Sequence, residues 1–486
     1  MAKKKNRKIA REQALPESTA QDSSERLSRR QFLTGLAATT GALALAGCGD
    51  STVAVQNPTP TAAPTAIPTA TPTASPTASP SPTQGNPELT PLPDPAASGI
   101  EHIVVVMMEN RSFDHFLGWL PGADGRQAGL EFVDKQGQTR TTYPLAPNFQ
   151  NCQFDDPDHS YGGGRTQFNG GANDGWLLAG TDDIFPVGYY TQNDLSLYGA
   201  AVPAWTTFDR YFCSILGPTF PNRFYMHAAQ TDRLDNLLKQ ATIATIWDRL
   251  AAAGLTGTYY YSDLPILALW GGRYTSITKK IDGFFTAAAA GTLPNVSFVD
   301  PRFNGDGSQG TSTDDHPLAD IRNGQAFISR IYDAVTTSPN WANTVLIINY
   351  DEWGGFFDHV PPPLAPQTGL DAGLPNDGRL GFRVPCIMAS PLARRGFIGH
   401  QQYDHTSILS MIEWRWGLDP LTVRDGTANN IAHALDFTSP KNLIVPQFTV
   451  PQGPFGGPCS TATISSTRAE FAGLQEMAVR HGFLTR

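Results

Sequence analysis

The chain has 486 residues, 40% hydrophobic and 16% charged, with 35 basic and 44 acidic side chains and a formal net charge of −9. This composition excludes collagen, a coiled coil and wholesale disorder, and the acidic balance argues against a general nucleic-acid binder. The average hides an asymmetry: residues 1–30 carry nine basic and four acidic side chains and residues 31–47 none, so the chain from Cys48 onward holds −14.

At the N-terminus, Ser28-Arg29-Arg30-Gln31-Phe32-Leu33 precedes a weakly apolar run, Thr34–Ala46. The run is too short and too mild to span a membrane, and behind a basic segment it fits a signal-peptide core. The paired arginines resemble the twin-arginine export signal. Leu45-Ala46-Gly47-Cys48 resembles a bacterial lipobox, which implies cleavage before Cys48 and lipid on its sulfur. Residues 1–47 are therefore expected to be a signal peptide. Residues 48–98 hold twelve of the 39 prolines. They are rich in Thr, Ala and Ser, a composition that buries too little apolar surface to fold. They read as a disordered stalk behind a lipidated cysteine. Residues 99–486 are then expected to form one domain, exported and anchored by lipid to the bacterial cell membrane.

Within that domain the continuous apolar run Ile103–Met108 predicts a strand buried on both faces, and it ends in Glu109-Asn110. Asp156-Pro157-Asp158-His159 follows, leading into a Gly-rich stretch, Tyr161–Gly175, which reads as a loop. Gly217-Pro218-Thr219-Phe220-Pro221-Asn222-Arg223 marks a turn before a possible helix. A threonine hydroxyl there is either an N-cap or a nucleophile activated by a metal.

Further along, Ile243–Ala253 has amphipathic helical spacing. Val296–Val299 reads as a weaker strand, and Asn304–Ser312 as a second long loop. Asp314-Asp315-His316-Pro317 leads into a helical pattern over Leu318–Val335. Val345–Asn349 predicts a second buried strand, which runs through Tyr350 into Asp351-Glu352. Phe356-Phe357-Asp358-His359 comes next; Trp353, Phe356 and Phe357 either line a leaving-group pocket or pack beneath a loop. Val384–Ala389 is a further strand candidate, and Ser407–Trp416 and Arg468–His481 are helical. Alternating strands and helices predict an α/β domain with a largely parallel central sheet.

Ligands of such a sheet bind beyond the carboxyl ends of its strands. Two strand ends bearing Glu109-Asn110 and Asp351-Glu352 would converge there, an oxygen-rich set suited to a hard divalent cation. His159, His316 and His359 all lie in polar or turn-rich contexts, which favours a pocket or the surface over the core. An imidazole can bind metal, hold phosphate or protonate a leaving group. Cys152, Cys213, Cys386 and Cys459 allow one or two disulfides in an exported protein, with Cys386 expected as a buried thiol in its apolar run.

Glu101–Gly118, Gly217–Arg223 and Asp351–Pro361, together with Asp156–Gly175, Val384–Gly396 and Tyr403–Trp416, resemble the bacterial phosphoesterase family of non-haemolytic phospholipases C and acid phosphatases. The resemblance implies a three-layer α/β/α sandwich of alkaline-phosphatase type and metal-assisted hydrolysis of phosphate esters. It places Glu109, Asn110, Asp351 and Glu352 on a divalent cation of unknown identity, with Thr219 as both nucleophile and metal ligand. His159, His316 and His359 fall near the phosphate and the leaving group. A phospholipase C-like reaction on a phospholipid head group, through a phosphothreonine, is the leading expectation. An acid phosphatase-type monoesterase is the alternative, and a lipid-anchored protein that binds a phosphate ligand without turnover is a reading of another class. No nucleic-acid partner is expected, and the sequence leaves the oligomeric state open.

Overall fold

The computed structural model describes residues 89–181, 183–303, 311–457, 459 and 466–485. All belong to one compact unit, 80–486. The export signal, Cys48 and the stalk up to residue 88 lie outside the described residues, as does most of the expected loop Asn304–Ser312. The folded body begins by Leu89, earlier than the boundary expected at residue 99. Thr90 N donates to His433 O (3.0 Å), His433 Nδ1 meets Thr90 O (2.8 Å), Leu92 packs against the core and Ser98 is buried. Backbone pairing thus docks the end of a segment whose composition predicted no structure.

Eight strands make one sheet: His102–Met108 (β1), Thr206–Phe208 (β2), Gly257–Tyr261 (β3), Thr278–Lys280 (β4), Val296–Asp300 (β5), Thr344–Tyr350 (β6), Cys386–Ala389 (β7) and Ile398–Gly399 (β8). Their order is β8-β2-β7-β6-β1-β5-β3-β4. β6, β1, β5, β3 and β4 run parallel, and β8 is parallel to β2. β7 runs antiparallel to both its neighbours. It follows β6 by a long loop without an intervening α-helix, so it re-enters the sheet from the end at which β6 left. Parallel neighbours require a crossover instead. β6 is buried throughout and β1 at every residue except His102, as expected of strands covered on both faces.

The helices that matter here are Phe113–Leu117 (α1), Tyr161–Phe168 (α2), Thr219–Ala228 (α3), Ile246–Ala252 (α4), Ile321–Thr336 (α5), His405–Trp416 (α6) and Ser466–Arg480 (α7). Successive strand residues point to opposite faces, and the end of β6 shows what covers each. The Asn349 amide donates to Tyr211 OH (3.3 Å), which meets His405 Nδ1 at the start of α6 (3.1 Å). The Tyr350 hydroxyl donates to Asp315 Oδ2 (2.5 Å), and its ring lies against Tyr198. The backbone N–H of Tyr198 donates to Gln325 Oε1 on α5 (3.1 Å). With α6 over one face and α5 over the other, the arrangement is the expected three-layer α/β/α sandwich.

One expected loop is a helix. Residues 161–168 form α2, capped by the Ser160 hydroxyl, which accepts from Gly163 N (3.0 Å). Its glycines serve close packing: a Cβ on Gly164 would stand 2.9 Å from the Leu216 side chain. Cys152 and Cys459 form a disulfide, while Cys213 and Cys386 are buried thiols. Among the described residues, no helix is long and apolar enough to cross a membrane.

Candidate active site

β1 and β6 are parallel neighbours in register, with Met108 opposite Tyr350. Glu109-Asn110 and Asp351-Glu352 therefore leave the sheet at the same height. Asp351 N donates to Met108 O (3.0 Å), and Asn110 N and Glu352 N both donate to Asp351 Oδ1 (3.4 and 2.7 Å). Gly354 N donates to Glu352 Oε2 (2.7 Å). Asn110 sits at φ 63°, a left-handed conformation that asparagine tolerates. Gly354 has φ 65°, and a Cβ there would stand 2.2 Å from Asn110 O, so the two strand ends close only around glycine. On the other flank of β1, β5 ends in Asp300, one residue beyond the Val106–Val299 pair.

α3 binds these ends together. Thr219 is its first residue; the cap position is Pro218, which has no side-chain bond to give, so the N-cap reading of Thr219 does not hold. Its buried hydroxyl has no hydrogen-bond partner among the described residues. Asn222 fixes the preceding turn, accepting from Ile215 N (3.0 Å) and donating to Gly217 O (2.7 Å). Arg223 lies one turn beyond Thr219 on the same helix face. Its Nε donates to Asp351 Oδ2 (3.0 Å), its Nη1 donates to Asp300 Oδ1 (3.0 Å), and its Nη2 lies 3.4 Å from Glu109 Oε1. The helix carrying Thr219 is thus tied to three strand ends by one buried guanidinium.

His159 and His316 join this group. His159 Nδ1 meets Pro157 O (2.7 Å), and its Nε2 stands 3.5 Å from Asn110 Nδ2 and 3.7 Å from Glu352 Oε1. His316 Nδ1 meets Pro317 O (3.2 Å), and its Nε2 lies 3.8 Å from Asp156 Oδ2. The two rings stand edge to face, 5.7 Å apart. Asp314, whose backbone O accepts from Glu109 N (2.8 Å), is buried beside them.

Burial dominates the electrostatics. It pushes the Glu109 carboxyl well above its ordinary range, helped by neighbouring Asp351 and only partly opposed by Arg223. Burial likewise pushes Glu352 up to about 8 and Asp351 up to about 6, the latter against the pull of Arg223. Burial would lower His159, but the charges of Glu352 and Asp156 outweigh it and bring the ring up to about 9. His316 is lowered by burial, with Asp156 opposing. Both Glu109 oxygens, Asn110 Oδ1 and Glu352 Oε1 are buried without a hydrogen-bond partner among the described residues. Such a set costs stability unless a cation completes it. Its chemistry, carboxylate and amide oxygen, fits a divalent ion.

His359 lies in a different cluster. Its Nδ1 is 2.5 Å from Asp114 Oδ2 and its Nε2 is 3.0 Å from Asp124 Oδ1. Arg383 donates through Nε to Asp358 (2.9 Å) and through Nη2 to Asp114 Oδ1 (3.1 Å). Its Nη1 donates to Asp124 O and Asp209 O (2.6 and 2.8 Å). No contact brings His359 to Glu109, Asp351 or Thr219 among the described residues. Trp353, Phe356 and Phe357 are fully buried members of the core, so packing beneath the loop is their role.

Asp156, Arg223, Asp300 and Asp314 were not singled out from the sequence. The four-residue spacing of Thr219 and Arg223 on one helix was the available signal for the guanidinium, and the three-residue spacing of Asp156 and His159 for the carboxylate.

A model of the phosphoesterase family matches residues 100–419. Phospholipase C A of Mycobacterium tuberculosis is 30% identical over 72% of this chain and 80% of its own length. A non-specific phospholipase C of Arabidopsis thaliana is 31% identical over 68% of this chain and 71% of its own. The non-hemolytic phospholipase C of Pseudomonas aeruginosa is 29% identical over 72% and 59%. Among solved structures, an alkaline phosphatase superfamily protein of Vibrio parahaemolyticus aligns over 68% of this chain and 70% of its own. Its TM-score is 0.36 at 9% identity, too low to bear on the fold.

Proposed function

This chain belongs to the phosphoesterase family and is a hydrolase of phosphoric ester bonds, and on that premise we propose a phospholipase C-like reaction through a covalent phosphothreonine at Thr219. The supporting observation is the buried Thr219 hydroxyl, without a hydrogen-bond partner among the described residues, on a helix that Arg223 ties to Asp351, Asp300 and Glu109. Glu109, Asn110, Asp351 and Glu352 would hold a divalent cation, with the Thr219 hydroxyl as a further ligand. When bound, such a cation would supply Lewis-acid activation of the hydroxyl and offset charge on the phosphate. Thr219 Oγ1 forms a bond to phosphorus as the bond to the diacylglycerol oxygen breaks, and water then releases the phosphorylated head group. Arg223 fixes the helix against the carboxylates, so the nucleophile is oriented before substrate arrives. The imidazoles of His159 and His316, beside Glu352 and Asp156, serve the departing oxygen. His359 holds Asp114 and Asp124 in place at a distance from the chemistry.

Phospholipid is the substrate class named by the relatives above. The domain is exported and lipid-anchored through Cys48. Purified protein is assayed with phosphatidylcholine, p-nitrophenylphosphorylcholine and p-nitrophenyl phosphate, each with Mg, Ca, Mn or Zn ions. Diester turnover well above monoester turnover is expected. Preference for p-nitrophenyl phosphate would replace this reading with a phosphomonoesterase, and tight phosphate binding without turnover of any ester would replace it with a binding protein.

A further inference from the structure

We propose that the Cys152–Cys459 disulfide is a positioning element of the active site: it holds the turn that carries His316, and so the aim of that imidazole at the departing oxygen. The inference rests on the reading that His316 serves that oxygen. The turn is not one its own residues favour. Asp315 and Leu318 both lie at φ 75°, left-handed positions that residues with a Cβ rarely adopt and that persist only where the surroundings impose them. Little else orients the ring. His316 Nδ1 meets Pro317 O (3.2 Å), and Nε2 is buried without a hydrogen-bond partner among the described residues. The backbone from Asp315 to Leu318 therefore sets where Nε2 points.

That backbone is gripped from two sides. On the inner side Arg111 Nε donates to Asp315 O (2.7 Å) and the Tyr350 hydroxyl to Asp315 Oδ2 (2.5 Å). On the outer side runs a strap, residues 440–457, which has no helix or strand of its own and lies along α5. Tyr332 OH donates to Pro446 O (2.8 Å), and its ring lies 5.2 Å from that of Phe448. Asn323 pairs with the Phe455 backbone, accepting from its N (2.9 Å) and donating to its O (3.1 Å), and the Arg322 guanidinium lies against the rings of Phe149 and Phe455. The strap leads to Cys459, whose Sγ stands 3.9 Å from Leu318 O. Across from it, Phe149 O accepts from Ile321 N (3.1 Å), and the Gln150 side chain bonds both Gly457 N and Gly457 O (3.2 and 2.5 Å) just before the crosslink at Cys152. Cys152 begins the stretch that leads to Asp156 and His159, so the S–S bond fastens the root of one histidine segment to the outer side of the other. A strap without regular secondary structure has few backbone bonds to hold it, so the covalent link decides how closely its end stays on Leu318. β1, β6 and α3, which carry Glu109, Asp351 and Thr219, are built without it.

The test separates leaving groups. An alkyl ester needs a proton on its departing oxygen, whereas a nitrophenolate leaves without one. Cys152→Ser and Cys459→Ser are compared with wild type on monomeric dihexanoylphosphatidylcholine and on p-nitrophenylphosphorylcholine, with metal content and thermal melts as checks on the fold. Folded wild type is also treated with a trialkylphosphine, which reduces the S–S bond to two thiols and is itself oxidised to the phosphine oxide, water supplying the oxygen and both protons. This second measurement stands even where the variants fail to fold. Each form without the crosslink is expected to keep its metal and to lose roughly 10-fold or more in kcat on the lipid, with less than about a threefold change on the nitrophenyl ester. His316→Ala should lower kcat on the lipid at least as much, and Cys459→Ser should add no further loss in that background. A loss as large on the nitrophenyl ester makes the disulfide a general stabiliser and overturns the proposal. No loss on either ester overturns it too, as does a further loss beyond that of His316→Ala. In each of these cases a His316→Ala variant impaired on the lipid leaves the reading of His316 in place. An unimpaired His316→Ala overturns the reading and the proposal together.

Discussion

Two buried clusters of aspartate, arginine and histidine lie at the ends of this sheet, and they differ in one respect. Around Arg383 the groups of metal-ligand type, Asp114, Asp358 and His359, satisfy one another, while Asp209 Oδ1 has no partner among the described residues. Asp114 accepts from Arg126 N, His359 N and Arg383, Asp358 accepts from Val360 N and Arg383, and both nitrogens of His359 face carboxylates. Around Arg223 the guanidinium is engaged, but oxygens of Glu109, Asn110, Glu352 and Thr219 and a nitrogen of His316 are left without hydrogen bonds among the described residues. Residue types alone do not separate the two clusters, since each holds a group with metal-ligand chemistry. What separates them is which acceptors are already used. A closed network holds a loop in place, whereas a network with buried acceptors left over is built to meet a ligand.

The comparison breaks most sharply at Thr219. Thr219→Ala is expected to lower kcat by roughly 10^4–10^6-fold, the range for loss of a nucleophile, with the thermal midpoint little changed. Next in size, Arg383→Met strands Asp114 and Asp358 and should cost about 3–5 kcal/mol of stability, measured by denaturant unfolding. Metal content should stay at the wild-type value. Loss of metal in Arg383→Met would erase the distinction between the clusters.

Chelation gives the converse. Removing a cation present at about 100 times its dissociation constant costs roughly 2.7 kcal/mol. EDTA should therefore lower the midpoint of wild type, and should lower that of Glu109→Gln by less. The smallest effect is in pH. Burial lowers the His359 pKa, but hydrogen bonding and charge from Asp114 raise it above its ordinary value of 6.5. A raised value means that the folded state holds the proton more tightly, so this stability is fully present below pH 6.5 and is lost as pH rises through the folded value. The midpoint difference between wild type and His359→Gln should be larger at pH 6 than at pH 9; a difference that grows with pH would reverse the sign.

Much of the catalytic half of this comparison was legible in the chain. Ile103–Met108 and Val345–Asn349 are apolar without interruption because both faces of β1 and β6 are covered, and their acidic ends follow at once. Other features depended on tertiary context. Tyr161–Gly175 reads as a loop because glycine lowers helix propensity, yet Gly163 and Gly164 are where α2 presses closely on Asp158 and Leu216. The direction of β7 depends on how the chain returns from β6, which no local pattern encodes. His159 and His359 both follow an Asp in polar segments, and only the three-dimensional partners place one beside Glu352 and the other beside Asp114. Arg223 was visible as a residue of a motif, but its bonds to Asp351 and Asp300 span 128 and 77 positions of sequence.

The central claim is that Thr219 becomes covalently phosphorylated. The direct measurement is acid quench of the enzyme during turnover of phosphatidylcholine, followed by mass spectrometry of the peptide that carries Thr219. A phosphocholine adduct on Thr219, absent from Thr219→Ala, is the predicted result. An unmodified Thr219 peptide at every quench time, together with a Thr219→Ala variant that keeps near-wild-type kcat, would contradict the account.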